Sequence, residues 1–309
     1  MRRVRRVLVV ALVCGAILLP SGGTPANAAF PGLNGRIAFY VYSARPRAIW
    51  TMAADGSDQR RLLVDRHAQF DPVWSADGTR ILFARYGGAR DAIVSVAADG
   101  TDRQVIATED ELPYAFASPT WAPSGDQIAF CGGGHDRLNK IFVIGTDGTG
   151  LQNISGAGND DCRPSWSPDG SRIAVSSGAL ISESTDIVTM DPDGGDRVTA
   201  VDVGDNGWPD WSPDGTMLAF TRKVSGVPEL FVADADGSAV TRLTTTRGVE
   251  YTPTWAPDGS AIAYCRTRTP DPFSPCDLFT VAPDGDEIGR LTDTVRRDEF
   301  DPSWQPVVP

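Results

Sequence analysis

The stretch RPSWSPDGSRIAV, Arg163–Val175, carries the grammar of the whole chain. A proline two residues before a tryptophan lets a strand begin but not lie mid-sheet. Ser-Pro-Asp-Gly then makes a tight turn, in which proline presets φ, aspartate bonds its own backbone and glycine takes the left-handed position. Arg-Ile-Ala-Val follows at once as an apolar strand, so the stretch reads as a β-hairpin. The same frame returns as DPVWSADGTRILF (Asp71–Phe83), SPTWAPSGDQIAF (Ser118–Phe130), WPDWSPDGTMLAF (Trp208–Phe220) and TPTWAPDGSAIAY (Thr252–Tyr264). Its tryptophans, Trp74, Trp121, Trp166, Trp211, Trp255 and Trp304, lie 44 to 49 residues apart. A period in the forties built of short strands and tight turns signals a radial repeat, a β-propeller.

Each unit holds a second turn, at Asp55-Gly56, Asp99-Gly100, Asp147-Gly148, Asp193-Gly194, Asp236-Gly237 and Asp284-Gly285. It follows a β-rich run such as KIFVIGT (Lys140–Thr146) and precedes a shorter strand. A unit is therefore four antiparallel strands, a to d, with tight turns between a and b and between c and d. The first unit starts on strand b at GRIAFYV (Gly35–Val41), and the chain finishes on a lone strand a, DPSWQP (Asp301–Pro306). Pairing that last strand with the first three closes the ring and removes the open edges of a linear array. The expected architecture is all-β: one six-bladed propeller of four-stranded antiparallel blades over residues 29–309, behind an export segment at 1–28.

The x-P-x-W-S-P-D-G-x-x-I-A-F unit followed by a strand and Asp-Gly resembles the propeller repeat of the TolB family, over roughly residues 34–306. The resemblance implies the fold, a cell-envelope or extracellular setting and a binding role. TolB itself has an N-terminal α/β domain before its propeller; here the propeller begins almost directly after the export segment, so the resemblance does not imply membership of the Tol machinery.

The N-terminus supports export. Arg2, Arg3, Arg5 and Arg6 form a basic start, Val7–Leu19 an apolar run too short to span a membrane comfortably, and Ala26-Asn27-Ala28 a small-x-small cleavage site. The expected location is secreted, periplasmic or cell-envelope, with no membrane span after cleavage. Losing four arginines and no acids takes the formal charge from −12 to −16. Such an acidic chain lacks the basic surface nucleic acid requires, and cationic partners suit it better. Four cysteines remain after cleavage, and an even number in an exported chain favours disulfides. Cys265 and Cys276 flank one loop. Cys131 ends strand b of the third blade and Cys162 begins the fourth, so the expected pairs are 131–162 and 265–276.

Short turns on one face leave the long b–c and d–a connections on the other, which marks the loop face as the binding surface. The residue before each Pro-x-Trp enters the inner strand at the channel mouth: Asp71, Ser118, Arg163, Trp208, Thr252 and Asp301. These differ although the scaffold around them repeats. Asp161, Tyr251 and Glu299 lie in the same loops. The expected binding set is Asp71, Asp161, Arg163, Trp208, Tyr251, Glu299 and Asp301, an acidic mouth broken by one arginine and two aromatics. It suits a basic peptide, an amine-bearing glycan or a cation. Trp208 lies outside the repeated tryptophan position and offers a face for stacking.

Catalytic signals are weak. Two histidines, His67 and His135, cannot supply the several that metal-dependent polysaccharide lyases with related propellers use. There is no G-x-S-x-G elbow. DPDGGD (Asp191–Asp196) and DADG (Asp234–Gly237) fail the calcium-loop spacing. The expectation is a monomeric, noncatalytic scaffold, without cofactor or metal, for a protein or cell-wall component. The rival is a hydrolase or lyase that uses mouth carboxylates on polysaccharide or peptide.

Overall fold

The computed structural model describes residues 30–44, 47–88, 90–110, 116–133, 138–178, 184–271, 274–294 and 297–308. The expected export segment, residues 1–28, and His135 lie outside them. Six four-stranded antiparallel sheets stand around one axis, each with its strands in the order a-b-c-d. The inner strands are Ala68–Trp74, Phe116–Trp121, Asp161–Trp166, Asn206–Trp211, Glu250–Trp255 and Glu299–Val307. The last of these completes blade 1 against the N-terminal strand Leu33–Val41, with Ile37 opposite Trp304 and Leu33 opposite Val307. No helix among the described residues is long and apolar enough to cross a membrane.

The repeat tryptophans weld neighbouring blades. Trp121 packs among Leu82, Ala84 and Ile93 of blade 2 and Ile128 and Phe130 of its own blade, and Trp255 reaches Ala219, Leu230 and Val232 of blade 5. A buried tryptophan removes about 200 Å² from water, roughly 5 kcal/mol at most for each seam. The outer strands Gln152–Asn153 and Thr241–Arg242 are two residues each, polar and exposed, which blunts those sheet edges.

Both turns follow from their side chains. In the a–b turn of blade 2, Asp77 Oδ1 accepts the Thr79 amide at 3.0 Å and the Ser75 hydroxyl at 2.6 Å, while Ser75 Oγ accepts the Arg80 amide at 3.0 Å. Blades 4 and 5 repeat this with Ser167, Asp169 and Ser171, and with Ser212, Asp214 and Thr216. In the c–d turn, Gly194 and Gly237 have φ of 86° and 84°, and a Cβ there would collide with the carbonyl oxygens of Ile154 and Ala200 in the preceding blade. Glycine is thus required both for the left-handed turn and for the approach of the next blade.

Disulfides join Cys131 to Cys162, with Cα atoms 5.0 Å apart, and Cys265 to Cys276, with Cα atoms 5.9 Å apart. The first staples blades 3 and 4; the second closes one b–c loop. Such bonds suit an oxidising compartment.

Candidate functional site

The site is made by one irregularity repeated six times. On blade 4, Asp161 and Cys162 pair with Ser177 and Ser176, and pairing resumes at Ser165 opposite Ala174. Arg163 and Pro164 therefore face the single residue Val175, a β-bulge that bends the strand and re-aims its side chains. A skip of the same kind interrupts the other five inner strands, as between Phe70 and Val73 and between Gly207 and Asp210. The bulged residue is left-handed in every blade: φ is 52° at Asp71, 48° at Ser118, 57° at Arg163, 53° at Trp208, 52° at Thr252 and 48° at Asp301. None is glycine, and each costs about 1 kcal/mol of backbone strain. Because of the bulge, the residue before proline, the proline and the residue after it all line the channel, where a straight strand would hide every second one.

They enclose a cavity of about 610 Å³. Asp301 and Asp71 stand on adjacent inner strands, and Arg163 and Trp208 on the two strands across the ring. Asp71 Oδ2 accepts the Ser118 amide at 2.7 Å. Burial first, and then the neighbouring Asp71 carboxyl, pushes Asp301 well above the usual carboxylate range, against the pull of Arg163 and the Thr252 hydroxyl. Two carboxyls this close in a buried site disfavour double ionisation, which is the second cause of the rise at Asp301. The Arg163 guanidinium lies 3.9 Å from the centre of the Trp208 ring, and Trp208 meets Tyr251 at 5.2 Å. Enclosure lowers the Arg163 pKa and the two aspartates raise it, but an arginine stays charged. Deeper in the channel, Asp210 accepts the Trp255 amide at 2.9 Å and the Ser165 hydroxyl at 3.1 Å; desolvation pushes its carboxyl up to about 7.

Five residues of the expected set meet here: Asp71, Arg163, Trp208, Tyr251 and Asp301 line the one cavity. Asp161 and Glu299 do not. Asp161 is fully buried and bonded by Arg197 at 2.9 and 2.5 Å, so it is a structural ion pair within blade 4. Glu299 is also fully buried and takes the hydroxyls of Thr292 and Thr294 on blade 6, fastening blade 1 to its neighbour; burial pushes its carboxyl up to about 7. Glu250 does the same with Thr244 and Thr246. These acids sit two residues before the bulge, where the side chain is taken up by partners within the blade (Asp161) or on the preceding blade (Glu250, Glu299) rather than by the channel.

An aromatic rim, unforeseen from the sequence, lies beside the acid pair. Tyr40 stacks on Phe300 at 5.6 Å and meets Phe70 edge-on at 5.3 Å, Phe70 meets Tyr86 at 5.2 Å, and Arg47 lies over Tyr42 at 3.8 Å. A signal existed: Phe-Asp-Pro occurs at both Phe70–Pro72 and Phe300–Pro302, in adjacent blades. Equally unforeseen is the N-terminal crossing of the turn face. Phe30 is buried among Leu82, Trp121 and Ile128 of blades 2 and 3, and the Gly32 amide donates to the Pro257 carbonyl of blade 6 at 3.3 Å. Phe30–Gly32 thus lies across the end of the channel opposite the loop face. Among the described residues no cluster of three or more His, Cys, Asp and Glu is placed to hold a metal.

A family model described as the TolB beta propeller domain matches residues 28–204 and 179–307. No curated protein matches the chain. Among solved structures, TolB from Acinetobacter baumannii is similar with a TM-score of 0.73 and 21% identity, over 88% of this chain and 67% of that one. A putative TolB from Agrobacterium tumefaciens gives 0.66 and 19%, over 89% and 99%. An oligogalacturonate lyase in complex with manganese gives 0.56 and 17%, over 80% and 74%. At these identities the likeness is one of fold.

Proposed function

The chain belongs to the TolB β-propeller family, and from that premise we propose that it is an exported, noncatalytic binding module whose loop-face mouth holds a protein or cell-envelope component. The observation that carries this reading is the ring of six bulged residues. The scaffold repeats in every blade, the strained conformation repeats in every blade, and yet the side chains presented are two aspartates, an arginine, a tryptophan, a serine and a threonine. Different side chains at equivalent positions that line one cavity, on a repeated backbone, are the pattern of a scaffold carrying a site. Export rests on the N-terminal segment and on the two disulfides. The test is capture of partners from envelope extract by the mature protein and by an Asp71→Lys, Asp301→Lys variant with an unchanged melting temperature. A partner held by the first and lost by the second supports the reading; capture indifferent to the substitutions refutes it.

One observation favours a second reading. Two adjacent cavity carboxyls, one of them pushed well above the usual range by burial, are the equipment of acid–base hydrolysis. Turnover of cell-wall glycans or peptides that vanishes in Asp301→Asn would establish it.

A further inference from the structure

The charges of the cavity are segregated. Asp301 and Asp71 occupy neighbouring positions of the ring, Arg163 and Trp208 the two positions facing them, and Ser118 and Thr252 the neutral positions between. The two sides also differ in how they are satisfied. Asp71 is already bonded by the Ser118 amide and stands beside Asp301, whose carboxyl burial pushes well above the usual range. The Arg163 guanidinium lies over the Trp208 ring, and among the described residues it donates no hydrogen bond and pairs with no carboxylate. A guanidinium has five N–H donors in a planar fork that matches a carboxylate in two parallel bonds. One left without an acceptor inside a cavity is a recognition element awaiting an anion, and stacking fixes its plane in advance.

We propose that the cavity takes a zwitterionic group, an amine and a carboxylate carried on one short chain, with the ammonium at Asp71 and Asp301 and the carboxylate at Arg163. This deepens the binding reading above and rests on it: the group is the part of the partner that enters the channel. An amino-acid unit of a cell-wall peptide or a lysine at a protein's C-terminus has this chemistry. A ligand with only a cation leaves Arg163 unanswered, and one with only an anion meets the acid pair. Entry of the ammonium favours the ionised form of Asp301, so binding releases a proton wherever that raised carboxyl is protonated in the free protein. Affinity for the zwitterion therefore rises with pH while Asp301 retains its proton in the free protein. The Trp208 and Tyr251 rings supply an apolar wall for the methylenes between the two charges.

The test uses ω-amino acids as rulers: 4-aminobutanoate, 6-aminohexanoate and 8-aminooctanoate, beside hexylamine and hexanoate, titrated calorimetrically into the mature protein. One of the three amino acids is expected to bind at least about tenfold more tightly than either single-charge control. Its heat should change between buffers of different ionisation enthalpy, in the sense of proton release. Arg163→Leu should reduce that affinity to the level of hexylamine, and Asp71→Asn with Asp301→Asn to the level of hexanoate; Arg163→Gln replaces the leucine variant if the latter does not fold. Amino acids that bind no better than hexylamine, or an affinity untouched by both Arg163 variants, overturn the inference. If none of the probes binds or competes while envelope capture still depends on Asp71 and Asp301, the zwitterion inference fails and the binding reading survives. Loss of that dependence removes both.

Discussion

Asp210 sets a pH dependence of stability that can be removed by changing one atom. Its carboxyl lies at the junction of three blades, taking the Ser165 hydroxyl of blade 4 and the Trp255 amide of blade 6. Burial raises its pKa from 3.8 to about 7. In the unfolded chain it ionises near 4, so between about pH 4 and pH 7 the folded state binds the extra proton. Stability therefore falls as pH rises through that window and is level above it. At about 1.36 kcal/mol for each pH unit of the window, the ceiling is about 4 kcal/mol. The side chain borders the channel rather than a closed core, so screening by solvent holds the effect to about 2 kcal/mol. Glu299, raised from 4.5 to about 7, and Asp301 act with the same sign. Turn aspartates such as Asp55, Asp99 and Asp147, kept below the usual range by the hydroxyl two residues on, act with the opposite sign but below about pH 4. Asp210→Asn mimics the protonated acid. Urea melts from about pH 5 to pH 8 cover about two-thirds of the window and should show the wild type losing stability and the variant losing about 1.3 kcal/mol less. A variant with the same slope, or one less stable than the wild type at the alkaline end, refutes the reasoning.

Arg197→Met should cost about 3–5 kcal/mol, because it leaves the fully buried Asp161 charge unpaired; adding Asp161→Asn should restore most of the loss in thermal melts. Phe30→Ala should cost about 3 kcal/mol through the lost contacts with Leu82, Trp121 and Ile128, and it should expose the Gly32 amide to faster hydrogen exchange. Protein produced in an oxidising compartment should show no free thiol at Cys131, Cys162, Cys265 or Cys276 on titration under denaturing conditions. Reduction should cost about 4 kcal/mol for the 31-residue loop and about 3 kcal/mol for the 11-residue loop.

The parts of this fold set by local chemistry were readable in the sequence. Pro-Asp-Gly and Asp-Gly turns act within a few residues, the tryptophan interval counts blades, and a chain that starts on strand b and stops on strand a has one way to close. Cys131 with Cys162, and Cys265 with Cys276, follow from the same register. The bulge was not readable, since Arg163 in Arg-Pro-Ser-Trp carries no mark of a positive φ, and it settles which inner-strand residues face the channel. Asp161 and Glu299 were misplaced because their partners are non-local. Arg197 comes round from the outer turn of the blade, 36 residues on, and Thr292 and Thr294 belong to the neighbouring blade. Phe30 was overlooked because a single apolar residue beside a cleavage site has no periodicity to report its burial.

The central claim, that the loop-face mouth is the working surface, is tested most directly by site-specific photo-crosslinking in producing cells. A photoreactive residue is placed at Thr252, in the cavity, or at Ser238, in a c–d turn on the opposite face. The account predicts a discrete crosslinked species from position 252 and none from position 238. Crosslinks from position 238 alone would contradict it.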